Sequence, residues 1–463
     1  MFSTDIYIKR RKDLKLKLGV GIILFVGNQD VGYNYRSNPY KFRQESNFLY
    51  FWGLDIQNLV AIVDIDNNEE IIFGDSPNID DKIWSGIQPS LEELAALSGV
   101  SKVMNLSKVS DFIFKAKSLN IPIHFLPAYR GETHIFLAEL LQIKATSLNE
   151  FASKKLIQSI IDLRSKKDIL EVQEIEQMIS VAQKMHTRAI HMAQSGIVER
   201  NIAAEIEGIC LSSAYNVSFP TICTVHGEIL HNPYLGNVLH KGKLLLTDAG
   251  AESFLHYASD ITRTCPVGGK FNSKQNGIYN IVLNANKKVI EIAAPNITYK
   301  EVHLAASLEI TKGLISMGIM KGDAQEAVNK GAHTLFFPHG IGHMLGLDVH
   351  DMEGLGEDFV GYNAEIRRSE EFGLSNLRMA RKLETDFVVT NEPGIYFIPI
   401  LIDQWEKEKK FSEFINYNKL NDYRDFGGIR IEDDLIITEK GCRNLSASIP
   451  KEVNEIENTF KNQ

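Results

Sequence analysis

Apolar and polar positions alternate on two different periods along this chain. Up to about residue 155, short apolar runs are interleaved with helical stretches. The runs at 22–26, 59–64 and 121–126 predict strands, and 92–97 and 109–119 predict helices, the texture of an α/β domain. From about residue 160 the period lengthens. Ile169, Val172, Ile175, Ile179, Ala182, Ala189 and Ala193 recur at spacings near three and four, which predicts one long amphipathic helix with a single buried face. The expected division is therefore an N-terminal domain over 1–158 and a second domain over 159–463, with the mixed, polar stretch 141–155 as the connection. In the second domain the pattern predicts strands at 243–248 and 257–264 joined by a turn at Gly250. Helices are expected at 273–293 and 299–317, and strands at 387–397 and 428–438. Two polar, charged segments, 352–385 and 403–426, read as surface insertions.

Length supports the division: a single core stops growing at roughly 250–300 residues, and this chain has 463. Apolar residues make up 44% and charged residues 24%, an ordinary globular composition. A formal net charge of -9 argues against a phosphate-backbone partner, so no nucleic acid is expected. Lys9, Arg10, Arg11 and Lys12 form the one dense basic run and are expected on the wet face of a first helix, opposite Leu14 and Leu18. The apolar stretch 18–27 is too short to span a bilayer and is followed by Asn28-Gln29-Asp30 instead of a cleavage site. It reads as a buried strand, with no membrane segment. The four cysteines, at 210, 223, 265 and 442, are too far apart for a close-spaced zinc motif and are expected as buried thiols of a reduced, cytoplasmic protein.

The candidate chemistry sits in the second half. Asp248 ends an apolar run and Asp260 lies in the strand expected after it, so a hairpin would bring two carboxylates together. Such a pair repels unless a cation intervenes, although a strand-end Asp alone more often caps a turn. The segment His339-Gly340-Ile341-Gly342-His343 through His350 changes the balance. It places three of the chain's 13 histidines close together with glycines between them, so the backbone is no regular helix and can approach a ligand. Glu392, in Asn391-Glu392-Pro393-Gly394-Ile395-Tyr396, and Glu432, in Gly428-Ile429-Arg430-Ile431-Glu432, stand in strand-like surroundings. A salt bridge of Glu432 with Arg430 is the plain reading. Residues two apart share a strand face, so both side chains can equally line one cleft. Four carboxylates and an imidazole form an oxygen-rich donor set suited to manganese, magnesium or zinc, and too large for one catalytic ion; two ions sharing carboxylates fit it.

Taken together these segments resemble the pita-bread metallopeptidases, in the Xaa-Pro branch of aminopeptidase P and prolidase. The order Asp248, Asp260, His343, Glu392, Glu432 matches that family's ligands, and Pro39-Tyr40-Lys41-Phe42-Arg43-Gln44-Glu45-Ser46-Asn47-Phe48 resembles a hallmark of its N-terminal domain. The resemblance implies an α/β N-terminal domain followed by an α+β pita-bread catalytic domain. It implies two divalent metal ions, manganese first, with zinc, cobalt or magnesium as alternatives. Asp248 would chelate one ion, His343 and Glu392 the other, and Asp260 and Glu432 both. It places His231 near the substrate, His339 and His350 around the scissile carbonyl and proline, and Arg430 on the substrate. Glu392 would also move a proton. Departures are a short stretch before His231 and Asn232 after it; His226 has no counterpart and is expected to be structural or solvent-facing.

The implied activity is hydrolysis of the Xaa-Pro bond at the N-terminus of small peptides, by a homodimer or tetramer. The alternative is an Xaa-Pro dipeptidase. Gly373-Leu374-Ser375-Asn376-Leu377-Arg378 leans toward that alternative, and Phe219 toward the aminopeptidase. A non-catalytic pita-bread binding protein is a remote reading, since all five ligands are present, and a non-peptide side activity stays open.

Overall fold

In the computed structural model, which describes residues 1–461, the chain forms two compact units. The first comprises residues 1–164 together with 353–359, and the second takes the rest. The last two residues of the range expected for the second domain lie outside the described residues.

The first unit is built on a five-stranded sheet in the order Lys102–Met104, Glu69–Phe73, Val60–Asp64, Ile22–Val26, Ile123–His124. The three central strands are antiparallel and each outer strand runs parallel to its neighbour. Val60–Asp64 is buried along its whole length, as befits a central strand covered on both faces. The strand expected over 121–126 shrinks to Ile123–His124, because Pro122 has no amide to give a ladder. Glu69–Phe73 and Lys102–Met104 carry no alternation and were not anticipated.

The basic run is also placed differently. In the first helix, Thr4–Leu18, Arg10 and Arg11 are buried, and only Lys9 and Lys12 face water. Arg11 Nε meets Glu70 Oε2 at 2.8 Å, its other nitrogens donate to the carbonyls of Phe51 and Ser98, and the guanidinium lies 4.6 Å from the Trp52 ring centroid. A charge with five donors can be buried when each finds an acceptor.

In the second unit, helices Ile169–Met192, Ser273–Ile292 and Tyr299–Ser316 each begin with a capping box, at Asp168/Glu171, Asn272/Gln275 and Thr298/Glu301. An antiparallel sheet runs Ile261–Pro266, Leu244–Ala249, Ile222–Thr224. Asp260 falls one residue before its strand, with its amide donating to Asp434 Oδ2 at 3.1 Å. Gly250 is not the turn. A Cβ there would meet the Ser259 carbonyl oxygen at 1.8 Å, so glycine permits two chain segments to touch, and the reversal comes at Ser253–Tyr257.

The two late strands are both broken. Val388–Asn391 and Gly394–Tyr396 flank Glu392-Pro393, and Gly428–Arg430 and Asp433–Ile437 flank Ile431-Glu432. Asn391 pairs with Asp433 on one side of the break and Gly394 with Arg430 on the other. The register therefore carries through, and Glu392 stands opposite Glu432. The two expected insertions are not purely surface: Val360, Tyr362, Leu377 and Met379 of the first and Trp405, Phe414, Ile415 and Leu420 of the second are buried.

Among the described residues no helix is long and apolar enough to cross a membrane. The four cysteines are thiols rather than disulfides; Cys210, Cys223 and Cys265 are buried and Cys442 is partly so.

Candidate metal centre

The breaks in the strands make the centre. At each break the backbone turns away from its ladder and bonds a different segment: Glu392 N–H donates to the Ile341 carbonyl at 2.9 Å and Glu432 N–H to the Thr262 carbonyl at 3.0 Å. Pro393 has no amide to satisfy there. The histidine segment lies along the free edge of Val388–Asn391, with Thr390 N–H on the His343 carbonyl and His343 N–H on Thr390 Oγ1 at 3.1 Å. Gly342 is needed for this approach, since a Cβ would meet the Thr390 carbonyl oxygen at 2.1 Å. Its lack of a side chain admits a strand, where the sequence suggested a ligand.

Four of the five expected ligands, Asp248, Asp260, His343 and Glu432, are buried, while Glu392 keeps a side chain 19% exposed. Donor atoms of Asp260, His343 and Glu432 all lie within 4.8 Å of one another. His343 Nε2 is 3.4 Å from Asp260 Oδ2 and 3.7 Å from Glu392 Oε1. His343 Nδ1 faces the Met344 carbonyl at 3.0 Å, which fixes the proton there and turns the Nε2 lone pair toward the carboxylates. Asp248 joins through Arg430, whose Nη2 meets Asp248 Oδ2 at 2.6 Å.

Electrostatically the cluster is short of positive charge. Burial, then the Asp248 charge, pushes Asp260 up to about 8. Burial, then Asp260, Glu392 and Asp248, pushes Glu432 well above the usual carboxylate range. Burial also raises Glu392, with Asp260 adding to it and His343 and Arg430 opposing. Asp248 Oδ1 is buried with no hydrogen-bond partner. Crowded carboxylates, an aimed imidazole and an unpartnered carboxylate oxygen are the donor set that divalent cations take.

The remaining expected residues surround this set. His339 Nδ1 donates to the Gly340 carbonyl at 2.7 Å, and its Nε2 accepts from the Tyr396 hydroxyl at 2.7 Å. That hydroxyl in turn accepts from Arg430 Nη1 at 3.0 Å. Burial and then the Arg430 charge hold His339 down to about 3, a neutral imidazole of fixed tautomer. The His350 ring lies 4.0 Å from that of His343. His231 stands exposed, within electrostatic range of Arg430, Asp248 and His350; partial desolvation and then the Arg430 charge shift it down. His226 is exposed and pairs with Glu228. The three guanidinium nitrogens of Arg430 go to Asp248, Tyr396 and Thr262, tying three segments of the centre together. Tyr396 and Thr262 were given no role from sequence. Strand alternation places Thr390, Gly394 and Tyr396 on the face of Glu392, and that was the available signal for Tyr396.

A model of metallopeptidase family M24 matches residues 173–439, and one of the aminopeptidase P N-terminal domain matches residues 7–121. The chain belongs to metallopeptidase family M24. A probable Xaa-Pro aminopeptidase of Metarhizium robertsii is 31% identical to this M24 chain over 94% of it and 91% of the relative. One of Fusarium vanettenii is 33% identical, covering 92% and 88%. Escherichia coli aminopeptidase P, solved as a variant in complex with substrate, is 26% identical with a TM-score of 0.82, covering 100% of this chain and 99% of the other. Aminopeptidase PepP of Pseudomonas aeruginosa is 25% identical with the same TM-score and coverage. The M24 chain thus has the expected fold, an α/β aminopeptidase P-type N-terminal domain before an α+β pita-bread catalytic domain, and it is a metallo-exopeptidase.

Proposed function

We propose that this chain removes the first residue from peptides with proline in second place, using two divalent metal ions at the centre formed by Asp248, Asp260, His343, Glu392 and Glu432. The observation that carries this is the meeting of four carboxylates and an aimed imidazole at opposed strand breaks in an M24 chain. Its relatives are aminopeptidases, which favours this reading over the dipeptidase.

Asp248 would hold one ion and His343 and Glu392 the other, with Asp260 and Glu432 available to both. When bound, the ions supply Lewis acidity to the scissile carbonyl and to the attacking water. The chain's own groups supply the rest. Proline's ring fixes the peptide and its nitrogen has no hydrogen, so a site relying on extended backbone pairing binds it poorly. His350, its ring 4.0 Å from that of His343, and the exposed His231 are assigned to the substrate oxygen, where an N–H from either stabilises developing negative charge. Glu392, the one ligand carboxylate partly open to water, carries a proton to the leaving proline nitrogen. His339, held neutral by burial and with its tautomer fixed by Tyr396, shapes the pocket beside it.

We assign catalysis to residues 159–463, manganese as the working metal, a homodimer or tetramer as the assembly and the cytoplasm as the compartment, the last supported by four cysteines present as thiols. The test measures alanine release from Ala-Pro-Ala beside proline release from Ala-Pro, with manganese-loaded and chelator-treated protein. Metal-dependent cleavage of the tripeptide, with the dipeptide slow, is expected. Cleavage of the dipeptide alone would make it a dipeptidase. If neither is cut with two ions bound, the Xaa-Pro assignment fails.

A further inference from the structure

We infer that Thr262 is a positioning residue of the centre, whose single hydroxyl fixes the Glu432 carboxylate and the Arg430 guanidinium in one geometry. The inference rests on the two-metal reading above. Thr262 is fully buried and pairs directly with Asp248 across the antiparallel ladder. It also follows Asp260 by two residues, so its side chain shares a face with both carboxylates.

A hydroxyl has one proton to give and two lone pairs. Here the proton goes to Glu432 Oε2 at 2.7 Å and a lone pair takes Arg430 Nε at 3.0 Å. The same guanidinium continues to Asp248 Oδ2 at 2.6 Å. The main-chain carbonyl of Thr262 accepts the Glu432 amide at 3.0 Å. The backbone therefore sets how far Glu432 stands from this strand, and the hydroxyl sets how its carboxylate is turned, holding one oxygen and leaving the other to a cation. The hydroxyl also stands between two opposite charges. Without it the guanidinium is free to swing onto Glu432 and compete with the metal for that carboxylate.

The test uses the full chain, stripped with chelator and titrated with manganese chloride by calorimetry, then turned over on Ala-Pro-Ala. Thr262→Val and Thr262→Ala remove the hydroxyl, and Thr262→Ser keeps it. Val and Ala are expected to weaken manganese binding by about 10–100-fold and to lower kcat more than they change KM. Ser is expected to stay within about threefold of the parent chain in both. If Val does not fold, Ala carries the comparison; if neither folds, normal manganese binding by Ser supports the role. Parent-like binding and turnover in Val or Ala overturns the inference alone, as does Ser impaired as deeply as they are, since packing of the methyl then explains the loss. Failure of the parent chain to bind manganese overturns the two-metal reading and this inference with it.

Discussion

Two of the places where this molecule buries charge solve the problem in opposite ways. In the first unit, Arg11 is surrounded by acceptors, with Glu70 and two carbonyls on its nitrogens and the Trp52 face against its plane. In the second, Asp260 and Glu432 are buried against other carboxylates with Arg430 as the nearby cation, and both are pushed up. The contrast is sharpest between adjacent residues. Asp433, next to Glu432, is also fully buried, yet Arg263 at 2.8 Å and Lys451 overcome that burial and bring it down to about 2. The protein is able to neutralise a buried carboxylate at this point in the chain, and does so for Asp433. Glu432 is left for something else. A satisfied buried charge serves the fold, and an unsatisfied one marks where a ligand belongs.

The comparison breaks most visibly at Glu432. Glu432→Gln is expected to lower kcat on Ala-Pro-Ala by about a thousandfold or more, the equivalent of about 4 kcal/mol of lost charge stabilisation. The same change should raise the melting temperature of the chelated protein, because it relieves repulsion; a fall in melting temperature would show that Glu432 serves the fold after all. Acid probes a third way of burying a titratable group, which is to keep it neutral. Burial holds His303 down to about 3 and His333 to about 4. Folded values below the unfolded one mean that their contribution is complete above about pH 6.5 and is lost as pH falls through the window down to the folded values. By pH 5 each imidazole costs about 2 kcal/mol. Urea midpoints at pH 7, 6 and 5 should fall accordingly, and less steeply in a His303→Phe/His333→Leu double variant.

Arg11 cannot lose its proton, so removing it tests the satisfied case. Arg11→Met should destabilise the first unit by about 3 kcal/mol, read from its urea midpoint, with manganese affinity unchanged. An altered affinity would couple the two charge sites and undo the contrast. The smallest effect is the metal itself. At about 100 times its dissociation constant, manganese should stabilise the folded chain by about 2.7 kcal/mol. Calorimetry of the loaded and chelated forms should show a rise in melting temperature, and none in a variant lacking Asp260 and Glu432.

Much of this architecture was legible in the sequence, for identifiable reasons. The helices Ile169–Met192, Ser273–Ile292 and Tyr299–Ser316 combine apolar periodicity with capping residues that stop and start them. The residues proposed as ligands stood out because carboxylates and glycine-spaced histidines in apolar surroundings are costly without a purpose. Arg10 and Arg11 were misplaced because charge was taken to mean exposure, while their partners, Tyr50 for Arg10 and Glu70, Phe51 and Ser98 for Arg11, are distant in sequence. The strand breaks were missed because the runs at 387–397 and 428–438 are strand-like on both sides of their polar residues; only Pro393 hinted at one of them. Thr262 gave only its place two residues after Asp260 in the expected strand, which assigns it no role. Its importance comes from facing Asp248 across a register that only the folded pair defines.

The facing breaks also set what kinds of sequence change this centre can absorb. Glu392 and Glu432 meet because the register on one side of the break is that on the other. A substitution in the ribbon leaves that alignment in place. A single residue inserted between Val388 and Glu392 shifts it, and because side chains alternate, turns the carboxylate to the opposite face. Length is therefore held rigid inside the ribbon and released only beyond it, after Tyr396, where the helix Pro399–Lys407 departs. Variation that adds or removes residues has its outlet there.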